Sequence, residues 1–278
     1  MIELNLFDTN FPDQLCSVAT QTPRLMRYVR GAPDWNGITI VTDGSMYAPE
    51  LVYTTSRIRI GWLEEPRVLH PENYERIDQQ LHLFDAVMTH DAQLLARGAP
   101  FIKTIRGGSW VPLAQWGMYP KTRNVSMILS AKRTTPAHQL RHQIADAGLP
   151  IALYGPEHTP IGYDKARAFL FARFAVVIDT CDEPGWFSEH LLDALAFGCV
   201  PIFWGAPDIG DYFDPNGFLF ARDAADIRRR VAQADADGPA LYESLWPAVA
   251  ANQALARDYA ITEDWQIQHC LRPFVEAL

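Results

Sequence analysis

Short apolar runs separated by polar loops and amphipathic stretches recur along the chain. In the first half, such runs predict five strands, at 2–6, 38–41, 58–63, 86–89 and 101–105. Amphipathic segments at 73–81 and 92–96 predict helices between them. Because buried strands that alternate with helices are typical of a parallel sheet, we expect the first half to form a Rossmann-like α/β domain.

Residues 107–123 are rich in glycine, proline and tryptophan and lack periodicity, which indicates a linker. After it, apolar runs predict strands at 124–130, 151–154, 174–179 and 199–204. Helices are predicted after a Thr135 cap, at 163–171, at 188–197, at 224–236, at 241–258 and from Glu263. We therefore expect a first domain at 1–115, a second at 116–260, and a C-terminal helix at 261–278 that packs near the domain junction.

The region from 174 to 220 carries the clearest combination of structure and chemistry. Its first strand is followed by a helix that Ser188 can cap and that Gly198 can end in the left-handed conformation. The strand that follows completes a βαβ unit, and open parallel sheets bind ligands at the carboxyl ends of their strands. Glu189 and His190 stand at the start of this helix, where backbone N–H groups attract anions.

Composition narrows the function classes. The chain has 278 residues, 48% of them hydrophobic and 21% charged, which is ordinary for a globular protein. A net charge of −9 argues against a nucleic-acid surface. The four cysteines are scattered without a CxxC, so they indicate neither a zinc site nor a disulfide framework. Because the sequence also lacks an export signal and a long apolar run, we expect a cytoplasmic protein without an integral membrane segment.

Four parts of this region together resemble a known donor-binding motif. They are Phe174, the pair Asp179-Thr180, the run WFSEH at 186–190 and the run PIFWGAP at 201–207. The motif belongs to glycosyltransferase family 10, the α-1,3/4-fucosyltransferases, and the bacterial and viral branch is the most similar. This sequence has Asp179 for a glutamate, Thr180 for an asparagine and His190 for a lysine. The resemblance implies the GT-B fold, in which two Rossmann-like domains face a cleft.

The segment from 130 to 144 is the second half of the expected donor site. Lys132 lies near free backbone donors, while His138, Arg141 and His142 share the helix face opposite the apolar stripe. By itself this pattern fits either a diphosphate site or a solvated basic face. The resemblance implies that a serine after the strand, Ser130, and the helix arginine, Arg141, belong to the donor site and that the arginine holds phosphate.

Other donor contacts are also implied by the resemblance. Glu189 would touch sugar or ribose hydroxyls, and His190 would replace a phosphate-binding lysine, with Asp179 and Thr180 in the same loop. Lys165 matches a family lysine ahead of the buried strand, although a surface salt bridge explains it equally well. Trp186 either stacks on the base or covers the sugar, or it packs in the core.

The first half is expected to supply the base and the acceptor side. Glu64 and Glu65 follow a predicted strand, where a cleft residue belongs, and strand alternation would point one of them to the cleft. The segment resembles the family region that carries a proposed general base, while a pair of solvated loop acids is the alternative. By weaker similarity, His90, Asp91 and Trp110 are expected on the acceptor side.

The function expected from these residues and the resemblance is inverting, metal-independent transfer of a sugar to a glycan hydroxyl. GDP-fucose would be the donor, no separate cofactor would be needed, and nucleic acid would not be a partner. The alternatives are a GT-B transferase with another nucleotide sugar and a non-catalytic nucleotide- or sugar-binding homologue. A dinucleotide oxidoreductase is disfavoured because no GxGxxG follows a predicted strand.

Overall fold

The computed structural model describes residues 1–11, 15–16, 18–19 and 21–277. The chain divides into two units, each with its own parallel sheet. The first unit comprises Met1–Gly108, Pro184–Trp186 and Ile261–Leu278, and the second comprises Ser109–Glu183 and Phe187–Ala260. The α/β class expected from the sequence is confirmed.

The first unit is built on a six-stranded parallel sheet with the order β2-β1-β3-β4-β5-β6. Its strands are β1 (Ile2–Phe7), β2 (Met26–Arg30), β3 (Ile38–Thr42), β4 (Ile58–Trp62), β5 (Ala86–Thr89) and β6 (Phe101–Lys103). The short helices between them are α1 (Pro71–Glu75), α2 (Ile77–Gln80) and α3 (Ala92–Leu95). From β1 the chain first runs to β2, at one edge of the sheet. The later strands, beginning with β3, lie on the other side of β1, so the strand order reverses between β1 and β3.

The expectation of five strands in this half is wrong by one, since β2 was not predicted. Its sequence, MRYVR, carries Arg27 and Arg30, and only Met26 of the five residues is fully buried. An edge strand whose side chains are mostly only partly buried lacks the apolar run on which strand prediction depends.

The second unit is built on a five-stranded parallel sheet with the order β11-β10-β9-β7-β8. The strands are β7 (Arg123–Ile128), β8 (Ala152–Tyr154), β9 (Ala172–Ile178), β10 (Val200–Trp204) and β11 (Leu219–Phe220). Its helices are α4 (Pro136–Ala145), α5 (Ala166–Phe169), α6 (Glu189–Ala196), α7 (Ala224–Ala236) and α8 (Gly238–Leu255). The strand order of this sheet reverses between β7 and β9.

Local signals set the ends of the two helices that matter most in this unit. Thr135 caps α4, and its side chain accepts a hydrogen bond from the His138 N–H. Ser188 caps α6 in the same way through the His190 N–H. Gly198 adopts a φ of 67° directly after α6, as its sequence position predicted. Both capped helix starts follow the carboxyl ends of neighbouring strands, β7 and β9.

The end of the chain returns to the first unit. It forms α9 (Thr262–Gln266), a π-helical turn at Ile267–Leu271, and α10 (Arg272–Glu276). Ile267, Cys270 and Leu271 are buried in the hydrophobic core beneath the first sheet. Within the described part of the chain, no helix is long and apolar enough to cross a membrane.

Candidate functional site

A small cavity lies where the strand order of the second sheet reverses. Its walls come from the ends of β7 and β9, from Arg141 of α4, from Lys165 at the start of α5, and from His190 and Asp193 of α6. The cavity has a volume of about 20 Å³, enough for roughly one water molecule. A larger ligand would therefore sit at its mouth, with the charged side chains beneath it.

The loop that leads into α4 is held by the two histidines of that helix. The Thr135 N–H donates to His138 Nδ1 over 3.2 Å, and His142 Nε2 lies 3.1 Å from the Lys132 carbonyl oxygen. Burial, aided by Arg141, lowers the pKa of His138 to about 4, so this ring is neutral and carries its proton on Nε2. The histidines therefore fix the loop in place, leaving Lys132 exposed and Ser130 half-buried along it.

Arg141 is the most buried of the cations that line the cavity. Its side chain is only 4% exposed, and its Nε donates to the Ile178 carbonyl oxygen over 2.8 Å. Among the described residues, its buried Nη2 has no hydrogen-bond partner. Burial lowers the pKa of Arg141, while Asp179 and Glu189 counteract that shift. The solvated basic face that the sequence allowed is wrong here, because His138, Arg141 and His142 are all buried.

Asp179 organises the loop between β9 and α6. The carboxylate is fully buried and accepts hydrogen bonds from the Thr180 N–H, the Ser188 N–H and the Ser188 hydroxyl, at 2.8, 3.1 and 2.7 Å. Burial raises its pKa, and these hydrogen bonds oppose the rise. Because its oxygens are engaged by the loop, Asp179 positions the start of α6.

Glu189 and His190 form the first turn of α6. His190 Nε2 lies 3.7 Å from Glu189 Oε1, and the two side chains are 29% and 18% exposed. Both are therefore accessible to a ligand at a helix N-terminus that favours anions. His190 and Lys165 line the cavity together with Arg141.

Asp193 belongs to the cavity but was not predicted from the sequence. Its buried carboxylate accepts hydrogen bonds from the Ser109 hydroxyl and the Trp110 N–H, at 2.8 and 2.9 Å. Burial raises its pKa to about 7, and nearby Lys165 opposes the rise. The available signal was its position four residues after Glu189, which places both acids on one helix face.

The two predicted tryptophans lie in different surroundings. Trp186 is 1% exposed, belongs to the first unit, and packs edge-on against His90 with ring centroids 4.7 Å apart. This burial favours the core-packing alternative over stacking on a ligand. Trp110, expected on the acceptor side by weak similarity to the family, belongs to the second unit, where its backbone N–H donates to Asp193. Its ring stacks on exposed Tyr163 at 5.7 Å.

Glu64 and Glu65 lie at the carboxyl end of β4 in a cluster of acids. Glu64 is fully buried, and neither carboxylate oxygen has a hydrogen-bond partner among the described residues. Burial raises its pKa well above the usual range, and Arg106, 3.7 Å away, opposes the rise. The Glu65 side chain is 19% exposed and lies 3.8 Å from Arg106. Of the two, Glu65 is the one that solvent reaches.

Asp43 and Arg106 complete this cluster and were not predicted. Asp43 accepts a hydrogen bond from the Glu64 N–H over 2.8 Å and a shared one from the Glu65 N–H over 3.3 Å. It holds a left-handed φ of 40°, which aspartate tolerates better than most residues. Burial and the Glu65 charge raise its pKa to about 8. The missed signal was an acid directly after a buried strand, the pattern that identified Glu64.

The acceptor-side pair His90 and Asp91 follows β5 and is buried. Asp91 caps α3 by accepting from the Leu94 N–H over 2.8 Å, and it forms an ion pair of 2.7 Å with Arg67. His90 packs against Trp186 and, at 6.4 Å, against Tyr74. These contacts show that both residues stabilise the loops at this edge of the sheet.

The fold is similar to that of known glycosyltransferases. An α1,3-fucosyltransferase crystallised with GDP-fucose gives a TM-score of 0.53 over 88% of this chain and 81% of its own, with 11% identity. An α-glucosyltransferase in complex with UDP and a mismatched DNA gives a TM-score of 0.53 over 86% of this chain and 79% of its own, with 10% sequence identity. A mutant of S. aureus TarM in complex with UDP gives a TM-score of 0.53 over 86% of this chain and 54% of its own, with 11% sequence identity.

These similarities show the fold, which is that of the GT-B glycosyltransferases. No protein-family model matches the sequence, and no curated protein matches it either. Enzymes of this class that share about a tenth of their residues can differ in donor and acceptor. Function therefore has to be argued from the residues of the site.

Proposed function

We propose that the protein is a glycosyltransferase that uses a nucleoside-diphosphate sugar. The observation that carries the proposal is the buried guanidinium of Arg141, whose Nη2 has no partner among the described residues. It lies where the strand order of the second sheet reverses, beside His190 at the start of α6. A diphosphate would satisfy the unpaired donor and the helix N-terminus together.

GDP-fucose is the donor that we favour. The support is the resemblance of residues 174–207 to the family 10 donor motif, together with a fold similar to that of the fucosyltransferase crystallised with GDP-fucose. UDP-sugars are the alternative donors, because the similar α-glucosyltransferase and TarM structures contain UDP.

In the proposed reaction, the acceptor hydroxyl loses its proton to a carboxylate as its oxygen bonds to the anomeric carbon. The bond from that carbon to the diphosphate breaks, and the nucleoside diphosphate leaves with the electron pair, so configuration inverts. Arg141 and Lys165 stabilise the charge that develops on the leaving group, without a metal ion. Glu65 is the proposed base because it is the more accessible glutamate, while buried Glu64 and Arg106 hold it in place.

The donor site is tested by binding of GDP, UDP and GDP-fucose to the wild type and to Arg141→Ala. Loss of a charge-assisted hydrogen bond should weaken GDP binding about 10- to 100-fold. The matched control is Arg133→Ala. Arg133 is an exposed arginine of the loop before α4 and forms an ion pair with Glu157 over 3.2 Å. Equal GDP affinity in wild type and Arg141→Ala would show that the phosphate contact is elsewhere.

The base is tested by transfer from GDP-fucose in the presence of EDTA, with Glu65→Gln and Glu64→Gln compared at saturating donor. Glu65→Gln should lower kcat by about 10²- to 10⁴-fold and leave GDP affinity unchanged. Glu64→Gln should have the smaller effect, because its side chain is buried. Wild-type kcat in both variants would exclude this mechanism, and activity lost on adding EDTA would exclude a metal-independent one.

A non-catalytic binding protein is the second candidate. Its support is the combined substitution of three motif residues, Asp179, Thr180 and His190. Such a protein would bind GDP or GDP-fucose through Arg141 and release no GDP from the donor, with or without acceptor. Measuring GDP release by the wild type separates the two candidates.

A further inference from the structure

A second crevice lies at the amino ends of the strands of the second sheet, the edge opposite the candidate donor site. It is formed by the segment that leads into β7, by the start of β9 and by one face of α8. Its volume is about 580 Å³, within the range of small-ligand sites. We call it the β7–β9 crevice. All of its residues belong to the second unit, so the crevice is a feature of that unit alone.

The first cation of the crevice, Lys121, is held by backbone carbonyls. Its half-buried Nζ donates to the carbonyl oxygens of Phe169, Leu170 and Phe197, over 3.5, 3.3 and 2.6 Å. Three such bonds use the three hydrogens of a charged ammonium, but the carbonyls bring no net negative charge. Burial lowers the pKa of Lys121, and the nearby charge of Arg173 lowers it further, whereas Cys199 opposes the shift. Among the described residues, this ammonium forms no ion pair with an acid.

The second cation, Arg173, has hydrogen-bond donors left over. It is a half-buried residue of β9, and it donates from Nη1 to Asn124 Oδ1 over 3.0 Å and from Nη2 to the Lys121 carbonyl oxygen over 2.8 Å. Its Nε has no partner in the described structure and is not enclosed by protein atoms, so a ligand can reach it. Like Lys121, it makes no ion pair there. Because neighbouring cations repel each other and partly buried charges are normally paired, this arrangement indicates that an anion binds in the crevice.

The third charge of the crevice selects the kind of anion. Glu243 is an exposed acid of α8 that lines the crevice, and in the described part of the chain it pairs with neither cation. Two positive side chains and one negative side chain leave a net charge of +1. This charge suits a carboxylate better than a phosphate ester, whose charge at neutral pH is about −2. The Glu243 carboxylate is also an acceptor for hydroxyl groups of the ligand.

Aromatic rings supply most of the remaining surface. Trp246 is 41% exposed and packs edge-on against Tyr242, with ring centroids 5.8 Å apart. The Tyr242 hydroxyl donates to the Gly198 carbonyl oxygen, and the Tyr119 hydroxyl donates to the Gln115 carbonyl oxygen, both over 2.8 Å. Because both hydroxyls are engaged by the backbone, the rings offer a ligand flat apolar faces. A pyranose ring fits such a surface, since its C–H face is apolar and its hydroxyls lie around the rim.

We propose that the β7–β9 crevice binds an acidic saccharide: the carboxylate of a uronic acid pairs with Arg173, its ring packs on Trp246, and its hydroxyls donate to Glu243. A neutral sugar would leave the two cations unbalanced, and a carboxylate on an aromatic ring would leave Glu243 without a hydroxyl. The crevice shares no residue with the candidate donor cavity, so the proposal does not depend on glycosyl transfer. It gives the protein a second site, one that holds an acidic glycan.

Binding is measured by saturation-transfer NMR and calorimetric titration with methyl glucuronide and methyl galacturonide. Their neutral counterparts, methyl glucoside and methyl galactoside, keep the ring and lack the charge, and benzoate keeps the carboxylate on an aromatic ring. The proposal predicts that the wild type binds at least one uronide. The neutral counterpart of that uronide should bind at least about tenfold more weakly, because it lacks the ion pair with the guanidinium.

Two substitutions place this binding in the crevice. Arg173→Gln removes the charge and keeps an amide that can donate to Asn124, and it should weaken uronide binding about 10- to 100-fold. Trp246→Ala removes the exposed ring and should weaken it about 2- to 10-fold. The matched controls are Arg123→Gln, at another half-buried arginine, on β7, and Leu255→Ala, at another side chain of α8 that is 41% exposed. Both controls should bind the uronide as the wild type does, and thermal melting of each variant shows that it is folded.

The proposal is overturned if neither uronide binds, if the neutral sugar binds as tightly as the uronide, or if folded Arg173→Gln keeps the wild-type affinity. Benzoate that binds while both uronides do not would show that the crevice takes an aromatic carboxylate instead. The donor site is reported separately by GDP affinity, which both crevice variants should keep. A wild type that binds a uronide but no nucleotide contradicts only the proposed transfer.

Discussion

At the residue scale, the second unit places a titratable acid among the cations of its candidate donor site. Asp193 is buried against Ser109 and Trp110, and its pKa is raised to about 7, so it changes charge in the neutral range. Lys165 and Glu189 are the nearby charges that act on it. Near pH 7, the net charge of the candidate donor site therefore depends on one proton.

This raised pKa predicts a pH-dependent stability. Between about pH 4 and pH 7 the folded chain keeps the Asp193 proton and the unfolded chain has lost it, so the free energy of unfolding falls as pH rises through this window. Asp193→Asn cannot ionise and keeps an oxygen for both hydrogen bonds. The free energy of unfolding of the variant minus that of the wild type should therefore be larger at pH 8 than at pH 5, as measured by urea unfolding at both pH values. A constant difference between the two proteins would contradict the raised pKa.

At the scale of elements, helix starts were predictable because their signals are local. Thr135 and Ser188 identified the beginnings of α4 and α6, and Gly198 identified the end of α6. Asp193 was not predictable, because burial turns it into a site residue only through Ser109, which is 84 positions away in the sequence. Strand β11, with two residues, gave no readable pattern.

The start of α4 allows a test that separates stability from binding. Thr135→Ala removes the cap and should lower the free energy of unfolding by about 0.5–2 kcal/mol. Because the cap orders the loop beside Arg141, GDP binding should also weaken, about two- to fivefold. The control is Asp223→Ala, which removes the cap of α7 and should lower stability similarly without changing GDP affinity. Both quantities follow from urea unfolding and calorimetric titration. Equal GDP affinity in the two variants would show that the cap has no part in binding.

At the scale of the whole molecule, the chain begins and ends in the same unit. The sequence predicted a helix from Glu263, but it could not show which residues of the first unit that helix contacts, because those contacts join residues 156 to 240 positions apart. Asp264 accepts hydrogen bonds from the Arg24 and Leu25 N–H groups at 2.8 and 2.9 Å, and from Arg24 Nε at 2.7 Å. The Thr262 hydroxyl donates to the Arg106 carbonyl oxygen over 2.6 Å. The last segment is therefore part of the structure that holds the proposed base.

Asp264→Ala tests this dependence. Leaving two backbone N–H groups without an acceptor beside β2 should destabilise the first unit by roughly 2 to 4 kcal/mol. The second unit has its own hydrophobic core, around Phe174, Ile202 and Val231, and should keep its stability. Hydrogen exchange followed by mass spectrometry should show faster exchange in β1 and β2 and unchanged protection in β7 and β9. Glu276→Ala, an exposed acid of the same segment, is the control and should exchange as the wild type does. Equal loss of protection in both sheets would contradict this prediction. It would show that the two units unfold together, because a defect in one unit lowers protection in the other only if their stabilities are coupled.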